Sequence, residues 1–427
     1  MPATSALATP GTSSAIADSA RVPYGTCVVI GLGGLFAGVT GPLLSAFVPL
    51  LVQAVIGEWR AAIGAVMAID NVLLLLLVPW AGAASDRASA SGRGRLAIVL
   101  AGFALASAGM AIFASPIVAG AAGLIAAMVV LYTGINVQRA PFQALVADLV
   151  PSRNRSFATG SVTFQMCVGA IVFLMLGQVL GMRPTFLIAA VTVLAIAAAF
   201  ALSLREPAVG HSHAAEASFG SLVAAAGAAV RGDIAGMRAI FLASFLLQLT
   251  FQTFTTWFSL HGTERFGLRP EDVTIGMIAW AVGGVIGALP AGVVGSRIGR
   301  RNAMLLGFAL MAACLMALNS VTTLAQAAPL LALASASWTF PTVNAYPLFV
   351  EPVPRERRGV LAALFLLCMA LGGAIGDPLN GGIFDLAGSY QPLFLLMAGY
   401  TALAFVAVLF IPRGSGEAGT GPESQPA

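Results

Sequence analysis

The chain has 427 residues, 59% of them hydrophobic and only 9% charged, with a mean hydropathy of +0.93. A soluble domain of this size cannot cover its surface with so few polar groups, which excludes a water-soluble globular protein. The +4 net charge comes from 21 basic residues, all Arg, against 17 acids, and their placement below makes the excess a topological bias rather than a nucleic-acid patch.

Residues 1–22 are Ala-, Ser-, Thr- and Pro-rich with little charge and no basic stretch ahead of a short apolar core, which reads as a disordered tail and not a cleaved signal. Crossing about 30 Å of hydrocarbon as helix takes roughly 20 apolar residues. Runs that meet this requirement occur at 25–56, 61–84, 95–115, 117–149, 157–181, 184–204, 238–260, 273–296, 302–319, 324–350, 359–383 and 390–412. They predict an all-α polytopic membrane protein of twelve spans, with Gly41-Pro42, Pro49 and Pro141 as interior kink points. Most Arg residues then fall at one set of loops, with Arg60, Arg183, Arg265 and Arg269 on the other side and Arg139 inside a span. The positive-inside rule places both termini in the cytoplasm and the protein in the cell membrane.

The stretch Asn136-Val-Gln-Arg139-Ala-Pro141-Phe-Gln143, which runs on to Asp148-Leu-Val-Pro151 and Arg155, has an echo half a chain later. There Asn344 leads to Glu351-Pro-Val-Pro354 and Arg358. A second pair repeats at nearly the same offset: Asp86-Arg87 with Arg93 and Arg95, answered by Ser296-Arg297 with Arg300 and Arg301. Two such repeats imply two homologous halves. The expected organisation is a six-helix bundle at 23–204, a polar cytoplasmic linker at 205–237, a second bundle at 238–412 and a disordered tail at 413–427.

Ionisable groups deep in a span are costly and point to function. Asp70, beside Asn71, and Asp377, beside Pro378, are the two deep carboxylates and the candidate proton carriers. Asn136, Arg139 and Gln143 share one face of the fourth helix, where an Arg that never deprotonates needs acceptors or an aqueous path. Gln248, Gln252 and Thr256, with Trp257 beside them, form a polar stripe on the seventh helix suited to a hydroxyl-rich solute, or equally to interhelical packing. Asp86, Arg87, Arg93, Asp148, Arg155, Glu351 and Arg358 close helix ends on the Arg-rich side and form a candidate cytoplasmic gate, with Asp86 expected to reach the start of the eleventh helix when that side is shut. The four Cys lie singly in apolar spans, the His211-x-His213 pair lies in the polar linker, and no metal or other cofactor is implied.

Gly82-x-x-Ser85-Asp86-Arg87 followed by Gly92 and basic residues resembles the signature of the major facilitator superfamily. Asn136-Val-Gln-x-x-Pro141 with Ala144-Leu-x-Ala-Asp148-Leu, and Ile69-Asp70-Asn71, resemble a bacterial branch of the sucrose:proton symporters and related glycoside-pentoside-hexuronide carriers. That resemblance implies a monomeric secondary transporter that moves a small sugar-like solute with protons by alternating access. Proton-driven efflux of a drug or secondary metabolite is the alternative. A membrane enzyme lacks support, because no nucleophile–base pair, HExxH or phosphate-binding GxxxxGK[ST] motif is present.

Overall fold

A computed structural model describes residues 24–91, 94–150, 155–206, 236–350 and 358–412. In lipid every backbone polar group must be satisfied within its own segment, so each apolar run becomes a helix. The first half contains α1 (Tyr24–Ile56), α2 (Arg60–Met67 and Ile69–Ala90), α3 (Leu96–Ala114), α4 (Ala121–Leu149), α5 (Arg155–Leu180) and α6 (Met182–Ser203). The second contains α7 (Met237–Phe266), α8 (Val273–Ile298), α9 (Arg300–Leu318), α10 (Leu324–Val350), α11 (Arg358–Ala387) and α12 (Leu393–Leu409).

Each expected span has its helix, and the joins differ in instructive ways. Pro42 and Pro49 lie inside a continuous α1. By contrast α2 carries a slight irregularity at Ala68, where no Gly or Pro announces it, two residues before Asp70, although the bonds from Ala68 N to Gly64 O and from Val72 N to Ala68 O (both 3.0 Å) carry the helix through it. Pro116 opens a short 3-10 turn, with Ser115 as its cap. Gly181 links α5 to α6 at φ +75°, in the left-handed region that side chains disfavour. Outward-facing Leu202, Leu289 and Leu386, more than 80% exposed, have only lipid to cover them.

The two halves repeat one packing plan. α1 lies along α5 as α7 lies along α11, α2 along α4 as α8 along α10, and α3 on α4 and α6 as α9 on α10 and α12. The repeated Asn performs one task in both halves. Asn136 Nδ2 on α4 donates to Tyr132 O one turn back (2.9 Å) and to Asp70 on α2 (3.0 Å). Asn344 Nδ2 on α10 donates to Phe340 O (2.9 Å) and to Ala291 O on α8 (3.2 Å).

The halves meet through α1 with α7, α5 with α8, and α2 with α11. Small residues allow this: a Cβ at Gly64 would overlap the Asp377 carbonyl, and one at Gly381 the Arg60 carbonyl. Gly64 with Asp377, Gly381 with Arg60 and Gly177 with Thr274 place these contacts toward the Arg-poor side. Among the described residues α4 and α10 share no extensive contact, so the interface is looser toward the Arg-rich side, an inward-facing arrangement by the charge rule.

Candidate functional site

Where the halves cross, each contributes one deep carboxylate. Asp70, two residues past Ala68 in α2, accepts Asn136 Nδ2 at 3.0 Å. Asp377 on α11 has no exposed surface, accepts Gln252 Nε2 from α7 at 3.0 Å and leaves Oδ1 without a partner. Gln252 also contacts Thr256 Oγ1 at 3.3 Å. The charge of Asp70 reaches Asp377, and the Tyr132 phenol, one turn from Asn136, lies within reach of both. Asn71 rests against Gly373 of α11, where a side chain would displace it, and its Nδ2 is unpaired.

The partners of these acids decide what they can do. A carboxylate buried against Arg is pinned in its charged form, because protonation would strand the cation. Here the direct partners are the neutral amides of Asn136 and Gln252, which tolerate either protonation state. Arg139 acts on Asp70 only at a distance, with no ion pair within 4.0 Å.

The sequence-predicted residues fall at different depths. Asn136 and Gln252 hold the acids. Arg139 and Gln143 follow on the same face of α4, both exposed, and Gln248 lies one turn inward of Gln252 against Gly372. Trp257 is fully enclosed one turn outward, its ring packed edge-on to Phe384 (centroids 5.1 Å apart) and tilted against Tyr390 (5.9 Å). Sequence reasoning missed Trp338 on α10, which stacks on Phe251 of α7 with centroids 5.0 Å apart and leaves Nε1 unpaired. Nothing local marks it; only the meeting of α7 and α10 does.

At the Arg-rich end, the partner of Asp86 among the described residues lies in its own half. Arg95, buried and absent from the expected gate, gathers Asp86, Ser85 Oγ (3.1 Å) and Asp148 Oδ2 (2.9 Å), all from its own half. The local cation takes the carboxylate. Glu206 completes the knot by accepting the Arg95 (2.7 Å) and Leu96 amides at the start of α3. Arg87 lies exposed in the last turn of α2. Arg93 and Glu351 lie outside the described residues, as do the side chains of Arg155 and Arg358.

Removing one partner of a buried ion pair costs about 3 kcal/mol, whereas exposed substitutions stay within about 0.5. Arg95→Gln therefore lowers the thermal midpoint in detergent by several degrees, and Arg87→Gln leaves it unchanged. Equal midpoints for the two variants would show that the Arg95 knot carries no stability.

The model of the Major Facilitator Superfamily matches residues 30–285 and again 240–426, so both halves match. Among solved structures, the nucleoside transporter NupG superposes with a TM-score of 0.68 at 13% identity, covering 90% of this chain and 98% of that one. A D-xylose-proton symporter gives 0.70 at 16% identity (92% and 98% covered), and the human organic anion transporter MFSD10 gives 0.65 at 19% (91% and 100%). At such identities the likeness is one of fold. No curated protein sequence matches the chain significantly. The doubled family match and the two six-helix halves lead to one conclusion: this chain belongs to the major facilitator superfamily, and is a multi-pass membrane transporter of small solutes rather than an enzyme.

Proposed function

We propose that the protein is a proton-coupled symporter of the cell membrane that carries a sugar- or glycoside-like solute by alternating access, as a monomer, with bundles at 23–204 and 238–412 rocking about the Asp70–Asp377 crossing. The observation that carries this reading is the pair of deep carboxylates, one from each half, held by amides. A proton arriving there removes the repulsion between the halves that two ionised carboxylates create, so proton occupancy and bundle approach are linked. Asp70 and Asp377 are the proton carriers in this scheme. Asn136, Arg139, Gln143, Gln248 and Gln252 line the solute's path from the inner side, with Trp257 behind them. Amide donors and acceptors beside the Phe251–Trp338 stack suit a ring bearing hydroxyls: hydrogen bonds in the ring plane and stacking on its face. The D-xylose-proton and fucose:proton symporters among the structural neighbours agree in solute class and coupling ion. Asp86, Arg87, Arg93, Asp148, Arg155, Glu351 and Arg358 would form the inner gate once the Arg-rich ends close.

The test is uptake of a panel of labelled sugars and glycosides into proteoliposomes with and without an inward-directed pH gradient. Gradient-dependent accumulation of at least one is expected. The same aromatic stack also suits an amphipathic drug, and export against the proton gradient with no sugar accumulated would establish efflux instead. Arg139→Lys keeps the charge but loses the planar fork of donors, so solute affinity falls more than tenfold. Affinity within about threefold, roughly 0.7 kcal/mol, would show that Arg139 only compensates charge.

A further inference from the structure

The outer seal contains a device that the site above does not use. The first segment of α2 begins without a cap of its own: Trp59 occupies the cap position with no side-chain bond, and the first turn holds no acid. The cap comes from the other half. Asp385, near the end of α11, accepts the Arg60 amide through Oδ1 (2.9 Å) and the Ala61 amide through Oδ2 (2.8 Å). Two free amides at the positive end of a helix are a natural carboxylate site, and both carboxylate oxygens are engaged.

The Arg60 side chain extends the contact. Its Nη2 donates to Gly388 O (3.1 Å), its guanidinium carbon lies 4.7 Å above the Tyr390 ring, and Glu264 lies 3.9 Å away. Tyr390 is itself fixed from three directions. Its amide donates to Glu264 (3.1 Å to each oxygen), its carbonyl meets His261 Nδ1 (2.8 Å), and its hydroxyl accepts Gln53 Nε2 from α1 (3.4 Å).

We propose that the α11–α12 turn is the outer latch of the carrier: Asp385 and Tyr390 clasp the ends of α1 and α2, and the strength of that clasp sets the fraction of molecules open to the inside. Every bond in it except those of Glu264 and His261 with Tyr390 crosses between the halves, so opening the outer side breaks them together. When α2 swings away its N-terminal amides lose their only side-chain cap, so the outward-open state lacks an interaction that the inward-open state has. The latch needs two rocking bundles and nothing else, whatever the solute or coupling ion.

Spin labels at Glu58→Cys and Thr322→Cys, on outer loops of opposite halves, report the outer separation by pulsed electron resonance in a background with the four native Cys replaced by Ala. In purified full-length protein, Asp385→Asn is expected to raise the long-distance, outward-open population at least tenfold. Arg60→Leu, which keeps the capped amides, gives a smaller rise. Asp272→Asn, an outer acid bonded to Arg269 of its own loop, gives none. If Asp385→Asn, which keeps one of the two acceptors, yields no monodisperse protein, Asp385→Ser, whose single acceptor is on a shorter side chain, is the variant to read, with at least the same rise expected. Distance distributions that match the parent in folded Asp385 variants would overturn the proposal and leave Asp385 a plain helix cap.

Discussion

Asp377→Asn is expected to abolish gradient-driven accumulation while leaving counterflow exchange of preloaded solute intact. One proton carried per neutral solute supports accumulation of about tenfold for each pH unit, since one unit is 1.36 kcal/mol. A membrane potential adds about 2.3 kcal/mol per 100 mV. A carrier that no longer moves a proton has neither source, so its accumulation ratio falls to about 1. Asn fills the same volume and can still meet Gln252, so the packing of the enclosed site survives. Exchange needs only that the loaded carrier reorient, which an uncharged residue at position 377 permits. Asp70→Asn removes the other carboxylate and is expected to give the same dissociation of accumulation from exchange. Full accumulation in both variants would contradict coupling through this pair.

The second large effect is steric. At Gly64 the backbone of α2 lies on the Asp377 carbonyl with no space for even a methyl group. Gly64→Leu therefore stops the outer ends of α2 and α11 from closing. Overpacking of a tight contact costs about 1–3 kcal/mol even when neighbours can relax, and here the neighbour is backbone. Net transport should fall at least tenfold while the protein remains membrane-inserted, since each half keeps its own packing. Gly382→Ala is the control: it lies on the facing helix α11, one residue from Gly381, and a methyl group there meets nothing within 4 Å. Equal transport by Gly64→Leu and Gly382→Ala would show that the α2–α11 crossing does not need to close.

The helices were legible because each needs only a run of apolar residues, a property of neighbours in sequence. The twofold plan was legible because the repeat kept Asn136 and Asn344 doing one job. The irregularity of α2 at Ala68 was not, as no Gly or Pro marks it. Asp70 and Asp377 stood out by cost alone, yet their partners belong to tertiary structure. Asn136 was legible as one of a polar face with Arg139 and Gln143, but not its bond to Asp70. Gln252 meets Asp377 because α7 lies along α11, which no spacing in sequence encodes. The outer contacts were the least visible. Arg60 reads as an ordinary outer-loop Arg and Asp385 as an ordinary helix-end acid until the halves are brought together.

Proton movement driven by solute is the most direct measure of the coupling claim. Lightly buffered proteoliposomes carrying an internal pH dye, with no imposed gradient, are given each member of the sugar and glycoside panel in turn. The account predicts that the transported solute acidifies the lumen as it enters, and that Asp377→Asn takes up the solute downhill with no acidification. Solute entry without any change in lumenal pH in the parent protein would contradict it.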